Sequence, residues 1–243
     1  PGQVSTRLFV SDLHLCEPDS AAFGAFARLM RDAARRFDEI YLLGDLCEVW
    51  VGDDDDGPMA RSFVSILADA SASTRVYVMP GNRDFLFGQR FEHDTGATLI
   101  PDPCRLHDGL LLAHGDAFCV DDTEYQRVRR LMRSPEWQRD VLARSLDERR
   151  ALADGMRAQS RATNANKPEN IMDVSAAEVD RVAAEHDAHV VIHGHTHRPG
   201  IHAAPRRGSP ADPDRLDPAH LGPVRRNGPF HGDGPRPGVR APR

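Results

Sequence analysis

The chain has 243 residues, 40% of them hydrophobic, and a formal net charge of -6 from 31 basic and 37 acidic side chains. That length favours one domain with an insertion over two independent domains, and the acidic balance excludes the basic footprint that nucleic-acid backbones require. No apolar run reaches the roughly 20 residues of a membrane-crossing helix, the first residues lack a basic-then-apolar leader pattern, and Cys16, Cys47, Cys104 and Cys119 form no CxxC pair, so a cytoplasmic setting with buried thiols is expected.

Along the chain, "TRLFVSDLHL" is a short apolar run ending in polar residues and predicts a strand. The next segment, "DSAAFGAFARLMRDAARRF", sets Phe23, Phe26, Leu29 and Met30 at helical spacing. Strands follow at "DEIYLLGDL", "TRVYVMPGNRD" and "GLLLAHGD", with a helix at "GPMARSFVSILADASAS" between the first two. Such alternation predicts an α/β fold on a largely parallel sheet.

Residues 121 to about 170 break the rhythm with charged helical sequence. Tyr125, Val128, Leu131 and Met132 share one face, with Leu142, Leu146, Leu152 and Met156 further on, and the segment reads as a helical insertion over the sheet's active edge. Ser175, three residues before Glu178, is a capping-box signature for another helix, and the strand "AHVVIHGHTH" follows. From residue 201 onward there are nine prolines, eight arginines and few large apolar side chains. That composition predicts a disordered tail over 203–243 beyond a domain of 1–202. The eight arginines outnumber Asp212, Asp214, Asp217 and Asp233 to give +4 there, leaving about -10 on residues 1–200.

The polar residues that end the predicted strands are Asp12 and His14 in "SDLHL", Asp45 in "LLGDL", Asn82 in "PGNRDF", His114 in "LAHGD", and His195 and His197 in "HGHTHRP". In open α/β folds the carboxyl ends of strands converge on one crevice. Two carboxylates, an amide oxygen and four imidazoles are too many for one tetrahedral ion and suit two adjacent divalent ions sharing a bridging carboxylate, for which Asp45 is the best candidate. Such a site suits in-line displacement at phosphorus. Any one of these aspartates is, taken alone, more often a turn former or helix cap; the ordered set of five motifs carries the reading. The run Asp53 to Asp56 lacks the spacing of a calcium loop and predicts a solvated loop. Cys16 is expected to be buried, and His193 to pack or hydrogen-bond beside the ligands.

The set DxH, GD, GN, HG and GHxH resembles the calcineurin-like metallophosphoesterase superfamily. The resemblance implies a four-layer αββα sandwich, with Asp12, His14, Asp45 and His197 on one ion and Asp45, Asn82, His114 and His195 on the other. Over residues 7 to about 199, "SDLHL", "GDLCEVWVGDDD", "GNRDFLFG", "AHGDAFCVDDTEYQRVRRLMRSPEWQ" and "HGHTHRP" resemble the UDP-2,3-diacylglucosamine pyrophosphohydrolase family within it. Arg83 follows the GN pair where the superfamily has histidine, and its planar fork suits a pyrophosphate.

This closer resemblance implies release of UMP and 2,3-diacylglucosamine 1-phosphate in lipid A biosynthesis, with two Mn2+ ions. It implies catalytic roles for Asp45, Asn82, Arg83 and His195, and substrate contacts from Asn82, Arg83, Asp122, Ser160, Asn164, Lys167 and His195. The insertion becomes a helical lid that helps receive acyl chains, and its apolar residues beside Arg129, Arg130 and Arg133 suit a peripheral contact with the inner membrane. A monomer is expected. Trp50, Phe85, Leu86 and Phe87 line an acyl groove or pack in the core, and Lys167 holds phosphate or caps a solvated loop; both choices stay open. So do two other functions, a dinuclear phosphoesterase for a soluble nucleotide or phosphodiester, and an inactive scaffold. Residues 203–243 depart from the strands with which the family completes its second sheet.

Overall fold

The computed structural model describes residues 5–164, 171 and 173–198. The predicted tail over 203–243 and the end of the predicted insertion lie outside the described residues. Four parallel strands, β1 (Arg7–Val10), β2 (Glu39–Leu43), β3 (Arg75–Met79) and β4 (Thr98–Leu99), form one sheet in that order. A second sheet holds β5 (Cys104–Arg105), β6 (Leu110–Ala113) and β7 (Val190–His193), with β6 and β7 parallel and Ala113 opposite His193. Helices α1 (Ala21–Ala33), α2 (Pro58–Ser71) and α3 (Gln89–Thr95) connect the first strands. The insertion supplies α4 (Thr123–Met132), α5 (Pro135–Leu142) and α6 (Leu146–Asn164), and α7 (Ala176–Glu185) precedes β7.

The period of two along each strand sorts the layers. Ile40, Leu42, Val76 and Val78 pack on Phe23, Phe26, Met30, Phe63, Leu67 and Phe91 from α1, α2 and α3. The alternate residues Tyr41, Leu43 and Met79 face the second sheet through Leu112 and Ile192. Leu111 and Ala113 turn the other way, onto Val182 of α7. Helices, sheet, sheet and helix therefore stack as αββα, the architecture that the resemblance implies.

Local sequence explains most boundaries. Ser20 opens α1 by accepting the Phe23 N–H at 3.2 Å. Ser175 sits at the start of α7 as predicted, but its hydroxyl makes no capping bond, and Glu178 pairs with Arg181 instead. The capping box is thus not formed, because a salt bridge one turn along the helix takes the carboxylate away from it. The two-residue strands β4 and β5 and the seven-residue α3 carry too few apolar repeats to announce themselves.

The acidic run is a loop with Asp54 and Asp56 exposed, as its composition suggests, yet Asp53, Asp54 and Asp55 each hold a partner. Asp53 accepts the Trp50 indole N–H at 3.0 Å and the Phe91 backbone N–H at 2.9 Å. Asp54 takes two bonds from Arg149, whose side chain is 3% exposed and also donates to Val51 O at 2.8 Å and to Arg144 O at 3.1 Å. Asp55 pairs with Arg150 at 2.6 Å. The loop thereby fastens α6 to the first sheet's side of the molecule. Arg149→Met strands the Val51 and Arg144 carbonyls and is expected to cost about 2 kcal/mol, seen as a melting temperature lower by about 4–8 °C. Arg150→Met, at a pair open to solvent, should leave the melting temperature unmoved. Equal shifts for the two would contradict the clamp.

Candidate metal centre

Strands β1, β2, β3, β6 and β7 deliver five loops to one edge, and backbone bonds lock those loops together. Asp12 N–H donates to Gly44 O at 3.0 Å, His14 N–H to Asp45 O at 2.9 Å, and Gly194 N–H to His114 O at 2.8 Å. Glycine permits two of the close approaches. A Cβ on Gly81 would collide with Asp45 N and Oδ1, and one on Gly194 with Ser11 Oγ and Asp12 Oδ2. Backbone strain gathers here as well. Among the described residues six that are not glycine have positive φ, and five of them are Asp12, His14, Asp45, His195 and His197, at φ between 47° and 72°. Left-handed backbone at non-glycine residues costs on the order of 1–3 kcal/mol each and tends to cluster at functional sites.

Two groups of donors result. Asp12, His14 and His197 bring their ligand atoms within 4.8 Å of one another, and so do Asp45, His114 and His195. Asp45 stands between the groups: its Oδ2 lies 3.8 Å from His14 Nε2, and its Oδ1 lies 3.6 Å from His114 Nε2. Asn82 Oδ1 is 3.1 Å from His114 Nε2 and joins the second group.

The donor chemistry fits cations. His114 Nδ1 lies 2.9 Å from the Leu43 carbonyl and His14 Nδ1 3.1 Å from Glu48 Oε2, so both Nδ1 atoms must carry hydrogen, leaving Nε2 as a lone pair in the neutral rings. The His114 lone pair faces Asn82 Oδ1, and that of His14 faces His197 Nε2 at 3.1 Å. Lone pairs aimed at acceptors repel unless a proton or a metal ion lies between them. Imidazole and carboxylate without thiolate suit first-row divalent metals.

Titration behaviour agrees with this reading. Burial lowers the pKa of His14, but Glu48, Asp45 and Asp12 outweigh it and raise the value above the usual 6.5. Burial likewise opposes a net rise at His114, driven by Asp45, Asp116 and Asp12. Burial, then His114, lowers His195 to about 4, so that ring is neutral and ready to coordinate near neutral pH. An ion therefore competes with protons for His14 and His114, and its affinity strengthens as pH rises. Calorimetric titration with Mn2+ near pH 7 in two buffers of different ionisation enthalpy is expected to show net proton release. Identical heats in both buffers would contradict it.

Other predicted residues fall in different places. Arg83 donates its backbone N–H to Asp45 Oδ1 at 2.8 Å, its Nη1 is 3.8 Å from Glu48 Oε1, and its Nε is buried without a partner. Asp122 caps α4 by accepting the Tyr125 N–H at 3.1 Å. Ser160 lies on α6, part-buried, whereas Lys167 and the side chain of Asn164 lie outside what is described. Trp50, Leu86 and Phe87 are core residues, 4–8% exposed, and Phe85 instead packs against Trp137 of α5 with the rings tilted by 47°. Cys16, expected inside, is exposed. His193 sits beside the ligands as expected, its ring edge-on to Phe118.

Three buried or half-buried carboxylates escape the sequence reading. Glu48 holds the His14 ring and faces Arg83 and, at 3.5 Å, Arg157. Asp84, fully buried, accepts backbone N–H groups from Asp45, Leu46, Cys47 and Gly81. Asp116, also fully buried, receives Tyr125 and Arg129. Adjacency to the GD, GN and HG motifs is the signal that points to them.

Residues 6–199 match the calcineurin-like phosphoesterase family. The chain is 43% identical over 210 residues to the UDP-2,3-diacylglucosamine hydrolase of Chromohalobacter salexigens, covering 85% of each chain. It is 43% identical over 201 residues to that of Aromatoleum aromaticum, covering 81% of this chain and 82% of the relative. To that of Salmonella typhi it is 41% identical over 208 residues, covering 84% of this chain and 87% of the relative.

Proposed function

The chain belongs to the calcineurin-like phosphoesterase family, and on that premise we propose that it hydrolyses the pyrophosphate of UDP-2,3-diacylglucosamine in lipid A biosynthesis. The observation that carries the reading is the pair of donor groups joined through Asp45. The substrate comes from the relatives' names. Asp12, His14, Asp45 and His197 would hold one divalent ion and Asp45, Asn82, His114 and His195 the other; oxygen and imidazole donors accept several first-row ions, and Mn2+ is proposed for both on the family resemblance. When bound, the ions supply Lewis acidity to phosphate oxygens and favour ionisation of water.

The chain's own residues do the rest. Water oxygen bonds to the α-phosphorus and the bond from that phosphorus to the bridging oxygen breaks. UMP thereby gains the water oxygen, and 2,3-diacylglucosamine 1-phosphate leaves. Arg83, with an unpartnered Nε, brings a planar donor to the pyrophosphate oxygens. His195 offers a neutral ring rather than a proton, given its lowered pKa. We assign substrate contacts to Asn82, Arg83, Asp122, Ser160, Asn164, Lys167 and His195.

No helix among the described residues is long and apolar enough to cross a membrane. Of the arginines expected to face the membrane, Arg129 and Arg133 turn inward onto Asp116, Asp102 and the Pro80 and Gly81 carbonyls, while Arg130 is exposed. Leu131 and Leu142, 56% and 43% exposed, with Arg127, Arg130, Arg139 and Arg144 also exposed on the insertion, support a peripheral contact with the inner leaflet of the cytoplasmic membrane. The family match ending at residue 199 supports a phosphoesterase domain over 1–202 with the insertion at about 121–170. The test is UMP release by the full chain. Release with Mn2+, abolished by chelator and much slower with the deacylated UDP-sugar, is expected. Equal rates on both sugars would indicate a soluble-nucleotide phosphoesterase, and no release with metal bound would indicate a scaffold.

A further inference from the structure

Helix α4 presents an unusual inner face. It buries no residue fully and leaves Leu131 exposed, while Tyr125, Arg129 and Arg133, spaced four apart, point at the site. Tyr125 Oη donates to Asp116 Oδ2 at 2.9 Å, and its ring stacks on His195 with centroids 5.9 Å apart. Arg129 Nε donates to the same Asp116 oxygen at 2.9 Å, and its Nη2 to Asp102 Oδ2 at 3.3 Å. Asp102 in turn accepts the backbone N–H of His114 through Oδ1, at 3.0 Å. Arg133 Nη2 donates to the carbonyls of Pro80 and Gly81 at 3.3 and 3.2 Å, immediately before Asn82.

Each contact thus ends on a segment carrying Asn82, His114 or His195, or on Asp102, which holds the His114 backbone, and those three ligands belong to one donor group. The described hydrogen bonds of Tyr125, Arg129 and Arg133 include none to Asp12, His14 or His197. That other group has its own supports: Ser11 Oγ donates to Asp12 Oδ2 at 2.5 Å, and Glu48 holds His14. Among the described residues Asp45 faces a histidine of each group, and the His195 backbone N–H, donating to Asp12 at 2.9 Å, is another link between them.

We infer that the first helix of the insertion positions one of the two metal sites and not the other, with Arg129 as the positioning residue that ties α4 to the His114 loop through Asp102 and Asp116. This rests on the reading that both groups hold ions. Outer-shell partners of this kind set ligand orientation, and their loss typically weakens metal binding about 10- to 100-fold. The segment that suggests a lid is therefore, in its first helix, part of the floor of the site.

The metal-free full chain and its Arg129→Met and Arg129→Lys variants would be titrated with MnCl2 by calorimetry, with electron paramagnetic resonance at each step. The parent chain should take up two Mn2+ and show a spin-coupled pair; fewer than two would defeat the dinuclear reading itself. Arg129→Met is expected to keep one Mn2+ at the parent affinity and to bind the other about 10- to 100-fold more weakly, giving an isolated-ion spectrum at intermediate metal. Arg129→Lys, which keeps the charge but loses the fork, should fall between them. Unchanged affinity at both sites, or a loss shared equally by both, overturns the inference. If Arg129→Met does not fold, Arg133→Gln, which frees the Pro80 and Gly81 carbonyls and removes the 3.7 Å pair with Asp116, carries the same expectation.

Discussion

Asp45→Asn is expected to cut turnover by more than about 100-fold while leaving the metal-free chain at least as stable as the parent. Losing an outer-shell partner already costs about 10- to 100-fold, and Asp45 is the residue whose two oxygens face one histidine from each group. Asparagine keeps the shape and tolerates the left-handed backbone at φ 51°, so the change is one of charge. Burial, reinforced by the neighbouring Asp84, raises the folded pKa of Asp45 to about 6 against the partial relief given by His114 and His14. A carboxyl with a raised folded pKa stabilises the fold below its unfolded value and loses that contribution as pH climbs through the folded value. Near pH 8 the ionised Asp45 is therefore a burden on the metal-free chain, and the amide removes it. Melting curves in chelator should show the variant level with or above the parent near pH 8, with the gap narrowing or reversing towards pH 4. A variant that loses activity and also melts far below the parent at both pH values would mean that Asp45 is needed for folding.

The opposite behaviour is expected of Asp84. Its carboxylate is fully buried and gathers four backbone N–H groups, from Leu46 and Gly81 at 2.7 Å and from Asp45 and Cys47 at 3.3 Å. Two ligand loops, one bearing Asp45 and the other Asn82, hang from a single side chain. Asp84→Ala strands those donors away from water and should cost on the order of 3–5 kcal/mol, lowering the melting temperature by more than about 6 °C, and turnover should fall with it as both loops slacken. Asp84→Asn, which keeps one carbonyl acceptor, should lose less on both measures. A metal-free Asp84→Ala chain melting within about 2 °C of the parent would show that water replaces the carboxylate without cost.

The sequence displays those parts of the fold that repeat and those parts of the site that end a repeat. Alternating strands and helices were visible because each needs a run of apolar residues at one period, and the ligands were visible because they follow such runs. Glu48, Asp84 and Asp116 were not, since each takes its place from a partner far along the chain: His14 lies 34 residues from Glu48, Leu46 38 from Asp84 and Arg129 13 from Asp116. The acidic run showed its exposure but not its anchoring, for the same reason. Its composition is that of a solvated loop, but the arginine that fixes Asp54 lies 95 residues further on. Trp50 and Phe87 could not be placed from sequence either, because an aromatic side chain suits a core and a groove equally.

The left-handed backbone at Asp12, His14, Asp45, His195 and His197 places fold and function in competition at the same five positions. Glycine relieves that conformation by about 1–2 kcal/mol, yet glycine offers no ligand atom. A substitution library sorted by heat resistance in chelator would therefore enrich chains that have discarded their ligands, whereas the same library sorted with metal present would retain them. Heat selection without the ion would breed a sturdier and emptier protein.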